Sequence, residues 1–300
     1  MPLLNEFEIN PDHHKTILIA GPTASGKSGL AMEIAGKHDG IIINADSLQV
    51  YDCWRILTSR PTPEDEKTVP HFLYGHVSCH QSYSISRWLD EIHNLLKEHK
   101  DVLKLIVGGT GLYFTALTKG FASIPDINGE TRLKSEELLR EDGIERLLLD
   151  LKNNDSSTYH NLDKHNPRRI QRAWEVLQST GMGLSSWFKY NQDPLVKLEQ
   201  VLPLILDIDK SRLEENIKLR LDRMLKSGAL DECRRNVSIL DMNNSAGKAI
   251  GASVLTEYTK GNLPLEEAKC KMLVETRQYA KRQRTWFRNK MAGWQWKHIP

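Results

Sequence analysis

Three hundred residues suffice for one large domain or for two compact ones that share a core. Lys+Arg number 41 against 39 Asp+Glu, a net charge of +2, so the chain as a whole has no basic excess. An apolar fraction of 39% with 27% charged residues excludes wholesale disorder, and no run approaches the ~20 apolar residues of a membrane span.

The balance is uneven along the chain. Residues 271–300 hold eight Lys/Arg against Glu275 alone, a basic arm on a mildly acidic body. That asymmetry points to a polyanionic partner, nucleic acid first. Met1 to His14 lacks the apolar core of a secretory signal, and His13-His14 reads as an exposed leader. Cys53, Cys79, Cys233 and Cys270 lie far apart without CxxC pairing, which reads as reduced thiols in a cytoplasmic protein.

In chain order, Thr16–Ala20, Ile41–Ala45 and Leu103–Val107 are short continuous apolar runs, the pattern of strands buried on both faces of a parallel sheet. Gly29–Lys37 between the first two is helical in composition. Ser86–His99 places Trp88, Ile92, Leu95 and Leu96 on one face behind a serine cap. Alternating strands and helices predict a doubly wound α/β core. From about Phe121 the character changes to helices over 130–141 and 144–151, a polar loop over 153–157, and a helix over 167–179. A strand returns at Val201–Ile208. The expected organisation is a core of 1–122 with 200–300 and an all-helical insertion of 123–199.

Gly21, Pro22, Thr23, Ala24, Ser25, Gly26, Lys27 and Ser28 fit G-x-x-x-x-G-K-[ST] between a predicted strand and a predicted helix, the context that makes a phosphate-binding loop credible. Its backbone N–H groups would surround phosphate oxygens, Lys27 would add a full charge, and the Ser28 hydroxyl is the expected Mg²⁺ ligand. A phosphate-loop nucleotidase usually carries an Asp at the end of a further strand. Here Leu103–Val107 runs into Gly108-Gly109-Thr110-Gly111 without an acid, and the carboxylate stands after the second strand as Asp46. Strand C-termini frame the crevice of an open α/β sheet, so Asp46, Thr110 and the loop should converge. Asp46 there serves as proton acceptor or metal ligand, or else as a helix N-cap. Gly108–Gly111 serves the site or is an ordinary turn. Arg168, Arg169 and Arg172 open the helix after Pro167, either as a phosphate-facing surface or as a solvated basic face. Lys281, Arg282 and Arg284 interleave with Tyr279, Trp286 and Phe287, which suits RNA backbone neutralisation and stacking or an amphipathic helix. His71, His76, Cys79 and His80 match no standard zinc spacing and read as a loop with satisfied histidines.

Taken together, GPTASGKS, NADSLQVY, GGTGLYF, NPRRIQRAWEV, the R…R…ML..GALDE pattern of 211–232 and TRQYAKRQRTWFR resemble, in the same order, the tRNA dimethylallyltransferases. The resemblance spans nearly the whole chain. It implies a phosphate-loop NTPase-like core with a helical insertion, and transfer of a dimethylallyl group from dimethylallyl diphosphate to N6 of adenosine 37 in tRNAs reading codons that begin with U. It further implies Asp46, Thr110 and Arg132 as catalytic residues. Asp46, Ser47, Leu48, Gln49, Arg168, Arg169, Ile170, Gln171 and Arg172 would contact the tRNA anticodon stem-loop, together with the basic arm. No zinc-finger extension follows the arm, the pattern of a bacterial-type enzyme expected to act as a monomer away from membranes. A small-molecule kinase using ATP and a non-catalytic RNA-binding protein are the other two readings of a phosphate loop in such a chain.

Overall fold

The computed structural model describes residues 14–190, 193–237 and 245–299; of the expected exposed leader His13-His14, His13 lies outside them and His14 is half-buried ahead of the first strand. The first strand, β1 (Thr16–Ala20), leads through the Gly-rich loop into α1 (Lys27–Lys37) and then β2 (Ile41–Asn44). There follow α2 (Pro63–Thr68), β3 (His71–Phe72), α3 (Ile85–Glu98), β4 (Lys104–Gly108) and α4 (Gly111–Lys119). A helical segment carries α5 (Gly129–Glu141), α6 (Ile144–Asn154), α7 (Ser156–Asn161), α8 (Pro167–Thr180) and α9 (Leu184–Trp187). The chain returns with β5 (Leu202–Ile208), α10 (Lys210–Lys226), α11 (Ala229–Asn236), α12 (Ala252–Thr259), α13 (Leu265–Lys290) and β6 (Gln295–Ile299).

All pairings in the six-stranded sheet are parallel, in the order β3-β2-β4-β1-β5-β6. Both faces are covered, which is why its strands read as unbroken apolar runs. Ile17 and Ile19 turn to the side where Leu30 and Ile34 of α1 pack. Leu18 and Ile106 turn to the other, against Trp88 and Ile92 of α3, Phe114 of α4 and Phe287 of α13. A third core gathers Trp54 and Leu57 with Leu221, Cys233, Leu255 and Met272 of the C-terminal helices. β1 is central, and the chain leaves it toward β2 but enters β5 on its other side, so the loop after β1 opens at the switch point of the sheet.

The chain divides into two compact units, one up to Thr118 and again from Leu195, the other Lys119–Pro194. These limits fall a few residues N-terminal to the expected 123–199. Val196 is buried in the main core and its N–H donates to Leu117 O at 3.2 Å, which draws the returning segment in early. In the helical unit Leu147 and Leu151 of α6 pack against Ile170, Ala173 and Trp174 of α8. The polar stretch 153–157, expected as a loop, is instead a junction of two helices. Asp155 accepts the Thr158 N–H at 3.1 Å and so starts α7 as α6 ends. The cap of α3 is Ser84, whose hydroxyl accepts from Arg87 N at 3.2 Å, two residues ahead of the expected serine. Among the described residues no helix is long and apolar enough to cross a membrane.

Candidate active site

The loop after β1 rises from buried Gly21 and Pro22 and lines a cavity of about 150 Å³ with Thr23 to Ser28. Lys27 Nζ donates to Pro22 O at 2.7 Å, which holds the ammonium over the loop. Burial pulls Lys27 down to about 7; the Asp46 carboxylate opposes that shift and Arg220 adds to it. An anion entering this cavity therefore meets a lysine that gains its proton on binding. Ser28 is exposed at the rim.

Asp46 lines the same cavity, one residue beyond Ala45 at the end of β2. Its main chain is fixed from both sides: Asp46 N donates to Asn44 Oδ1 at 2.8 Å, and Asn44 Nδ2 donates back to Asp46 O at 2.9 Å. Oδ1 accepts Leu48 N–H at 3.0 Å, a side-chain turn over 46–49 with no helix after it. The N-cap reading of Asp46 is thereby replaced by a turn that anchors one carboxylate oxygen. Thr110 secures that turn, because its Oγ1 accepts Ser47 N–H at 3.0 Å. Gln49 lines the cavity and donates from Nε2 to Thr58 O at 2.9 Å and Ser59 O at 3.0 Å. Leu48 is half-buried beside it.

The glycines of the 108–111 turn answer to packing. A Cβ on Gly108 would stand 2.0 Å from Ala45 O, and one on Gly109 would stand 2.2 Å from Gln283 Nε2. Gln283, which lies between the expected RNA contacts Arg282 and Arg284 on α13, is a central residue of the site. Its Oε1 accepts Thr23 N–H at 2.8 Å and its Nε2 donates to Gly109 O at 2.9 Å, so it ties the phosphate loop to the turn after β4. Arg220 of α10 was also missed as a site residue. Its Nη1 donates to Thr23 Oγ1 at 2.6 Å and its Nη2 to Thr58 O at 3.3 Å, at the wall of the cavity. Tyr74 completes the wall; burial, then the Asp46 charge, push its hydroxyl above the ordinary tyrosine range. The only sequence signals for Arg220 and Gln283 were their places inside longer motifs.

A second cavity, of about 590 Å³, lies between α10 and α13. Lys210, Arg277, Lys281, Arg284 and Arg288 line it, with Glu214 as the acid. Lys281 and Arg282 point to solvent, whereas Arg284 is committed to Asp207, 3.0 Å away. Arg284 thus departs from the expected role of open phosphate contact. In the helical unit Arg132, Arg168 and Arg169 are exposed and Arg172 is half-buried. Gln171 Nε2 donates to Ser135 Oγ at 2.8 Å, joining α8 to α5. Ile170 is fully buried among Leu147, Leu151 and Trp174, so its expected contact with RNA is corrected: an apolar side chain at that phase of α8 faces the core of the unit.

Residues 49–290 match the family model described as IPP transferase. A tRNA dimethylallyltransferase of Cereibacter sphaeroides is 45% identical over 99% of this chain and 100% of its own length. One of Roseobacter denitrificans is 46% identical over 93% of this chain and 97% of its own. Among solved structures, the full-length tRNA isopentenylpyrophosphate transferase of Bacillus halodurans superposes with a TM-score of 0.66 at 30% identity, covering 95% of this chain and 90% of that one. A eukaryotic dimethylallyltransferase acting on tRNA gives 0.79 at 25% identity, over 94% of this chain and 73% of that one. The doubly wound core with its phosphate loop is the fold these structures share with this chain.

Proposed function

The chain belongs to the IPP transferase family, and from that premise we propose that it moves the dimethylallyl group of dimethylallyl diphosphate to N6 of adenosine 37 in tRNAs reading codons that begin with U, releasing diphosphate. The observation that carries the reading is the convergence of Lys27, Arg220, Asp46 and Gln49 on one cavity at the sheet's switch point. Lys27 and Arg220 are two cations set where a departing diphosphate gathers charge, so they favour the transition state more than the intact ester. As the C1–O bond of the allyl group breaks, N6 of adenine forms the new bond to C1 and its proton passes to the Asp46 carboxylate. The Oδ1 contact with Leu48 and the Thr110–Ser47 bond hold that carboxylate in place.

The Ser28 hydroxyl, exposed at the rim of this cavity, is a hard oxygen donor that fits Mg²⁺ beside a bound diphosphate. The ion when bound would neutralise diphosphate charge. The adenine must leave the anticodon-loop stack, at a cost of a few kcal/mol that is smallest in a single-stranded loop. Exposed Arg132, Arg168 and Arg169 with Arg172 in the helical unit, and Lys281 and Arg282 on α13, supply the phosphate contacts of the anticodon stem-loop in this reading. The working form is a monomer in the cytoplasm.

Incubating the protein and bulk tRNA with radiolabelled dimethylallyl diphosphate, and separately with γ-labelled ATP, tests the proposal. Label should enter tRNA from the prenyl donor only. Transfer from ATP to a small acceptor, with none from the prenyl donor, would establish the kinase reading instead. The relatives named above are prenyl transferases, which favours the first outcome.

A further inference from the structure

Away from the phosphate-loop cavity, Asp52, Cys53 and Cys79 bring a carboxylate oxygen and two sulfurs within 4.8 Å of one another. The sequence separates the two cysteines; the backbone reunites them. Tyr51 pairs with Val77 in a parallel bridge, and Asp52 N donates to Val77 O at 2.9 Å. Cys53 and Cys79 each stand two residues beyond that bridge, in the turns that follow it on the two segments. Cys79 N donates to Asp52 Oδ1 at 3.0 Å, and Asn236 Nδ2 holds Cys53 O at 2.9 Å. Neither cysteine is in a disulfide. Cys79 is 5% exposed, Cys53 is half-buried and Asp52 lies at the surface, so the cluster has protein beneath it and solvent on its carboxylate side.

We propose that Asp52, Cys53 and Cys79 form a three-ligand site for a soft divalent cation of the zinc class, with water as the fourth ligand. Tetrahedral zinc, bonded at about 2.3 Å to sulfur and about 2.1 Å to oxygen, sets its donors roughly 3.6–3.8 Å apart, inside the spread of this cluster. Two sulfurs with one carboxylate select zinc-like ions over Mg²⁺ or Ca²⁺, which prefer all-oxygen shells. Burial, then the adjoining Cys79 sulfur, push the Cys53 thiol upward. Each thiol passes its proton to solvent as its sulfur bonds the metal. The occupied site clamps 51–53 to 77–79, the continuations of the segments that carry Asp46 with Gln49 and Tyr74. The site is independent of the prenyl-transfer reading.

The test is titration of the full chain with Co²⁺ under a phosphine reductant, followed by competition with Zn²⁺. One equivalent should raise a near-ultraviolet sulfur-to-cobalt charge-transfer band that Zn²⁺ abolishes. Cobalt at the oxygen donors of the phosphate-loop cavity gives no such band. Cys53→Ser should lose the band, and Cys270→Ser, which changes an exposed thiol elsewhere, should keep it. Asp52→Asn retains an oxygen for Cys79 N–H and should fold, yet bind roughly tenfold or more weakly. Absence of the band in the wild-type protein, its persistence in Cys53→Ser, or wild-type affinity in folded Asp52→Asn would each overturn the proposal.

Discussion

Arg220 and Thr23, 197 residues apart in the chain, meet at 2.6 Å, with the guanidinium donating to the threonine hydroxyl at the mouth of the phosphate loop. The backbone N–H of the same Thr23 is held by Gln283. The loop is therefore shaped by two helices that the chain reaches only after its helical unit. Truncating Gln283 to Ala would leave Thr23 N–H and Gly109 O without these partners in a buried setting, at a cost of about 2 kcal/mol or more. Urea unfolding should report that loss, and the KM for dimethylallyl diphosphate should rise with it. Unchanged stability and KM would show that the loop holds its shape unaided.

Lys27 gives diphosphate binding a pH dependence of defined sign. Free, it titrates near 7; beside a bound anion its ammonium is favoured and its pKa rises. The complex therefore retains a proton that the free protein has lost above pH 7. Affinity is at its full value below about 7 and falls as pH rises through the window up to the bound-state pKa. Calorimetry at pH 8, in two buffers of different ionisation enthalpy, should show the wild type taking up nearly one proton more than Lys27→Met. Equal uptake by both proteins would remove Lys27 from the diphosphate site.

Asp46→Asn separates proton acceptor from turn residue. Asn can still accept Leu48 N–H, so folding and binding of both substrates should survive. Loss of a general base lowers the rate by roughly 10²–10⁴-fold, about 3–5 kcal/mol of transition-state stabilisation. Single-turnover transfer within a few-fold of wild type would leave Asp46 as a turn residue.

The two kinds of cation on α13 should behave differently toward RNA. Lys281→Ala with Arg282→Ala should flatten the salt dependence of tRNA binding by about 0.7–0.9 per lost phosphate contact. Arg284→Ala breaks the Asp207 pair instead and should leave the slope alone while lowering thermal stability slightly. Filter binding across a salt series checks both.

Glu232 supplies a stability test remote from the chemistry. Its buried carboxylate accepts from Arg55 N at 2.7 Å, Ile56 N at 2.9 Å and Leu57 N at 2.8 Å. Glu232→Ala strands three backbone donors and should cost about 3 kcal/mol or more, visible as a lower denaturation midpoint. Glu232→Gln keeps the acceptor oxygen and should recover part of that loss.

Local chemistry made the α/β core, the phosphate loop and the chain's two-part character legible in advance. Continuous apolar runs mean strands buried on both faces, and glycines followed by Lys-Ser between a strand and a helix mean a phosphate cradle. The meeting of Asp46 with the phosphate loop followed from its place after a strand end, since the crevice of a parallel sheet opens there, whereas Thr110 bonds Ser47 behind the residues that line the cavity. Helix phase could also have excluded Ile170 from any RNA surface, because an apolar side chain among arginines faces inward. Arg220, Gln283 and the meeting of Cys53 with Cys79 belong to another class. Nothing in a residue's neighbours records which distant segment will pack beside it. Arg220 reads as one more cation on an amphipathic helix, and Gln283 as one polar residue in a basic run. Only the packing of α10 and α13 beside the end of β1 buries Gln283 and half-buries Arg220, and hydrogen-bonding groups withdrawn from water must then find partners in the phosphate loop.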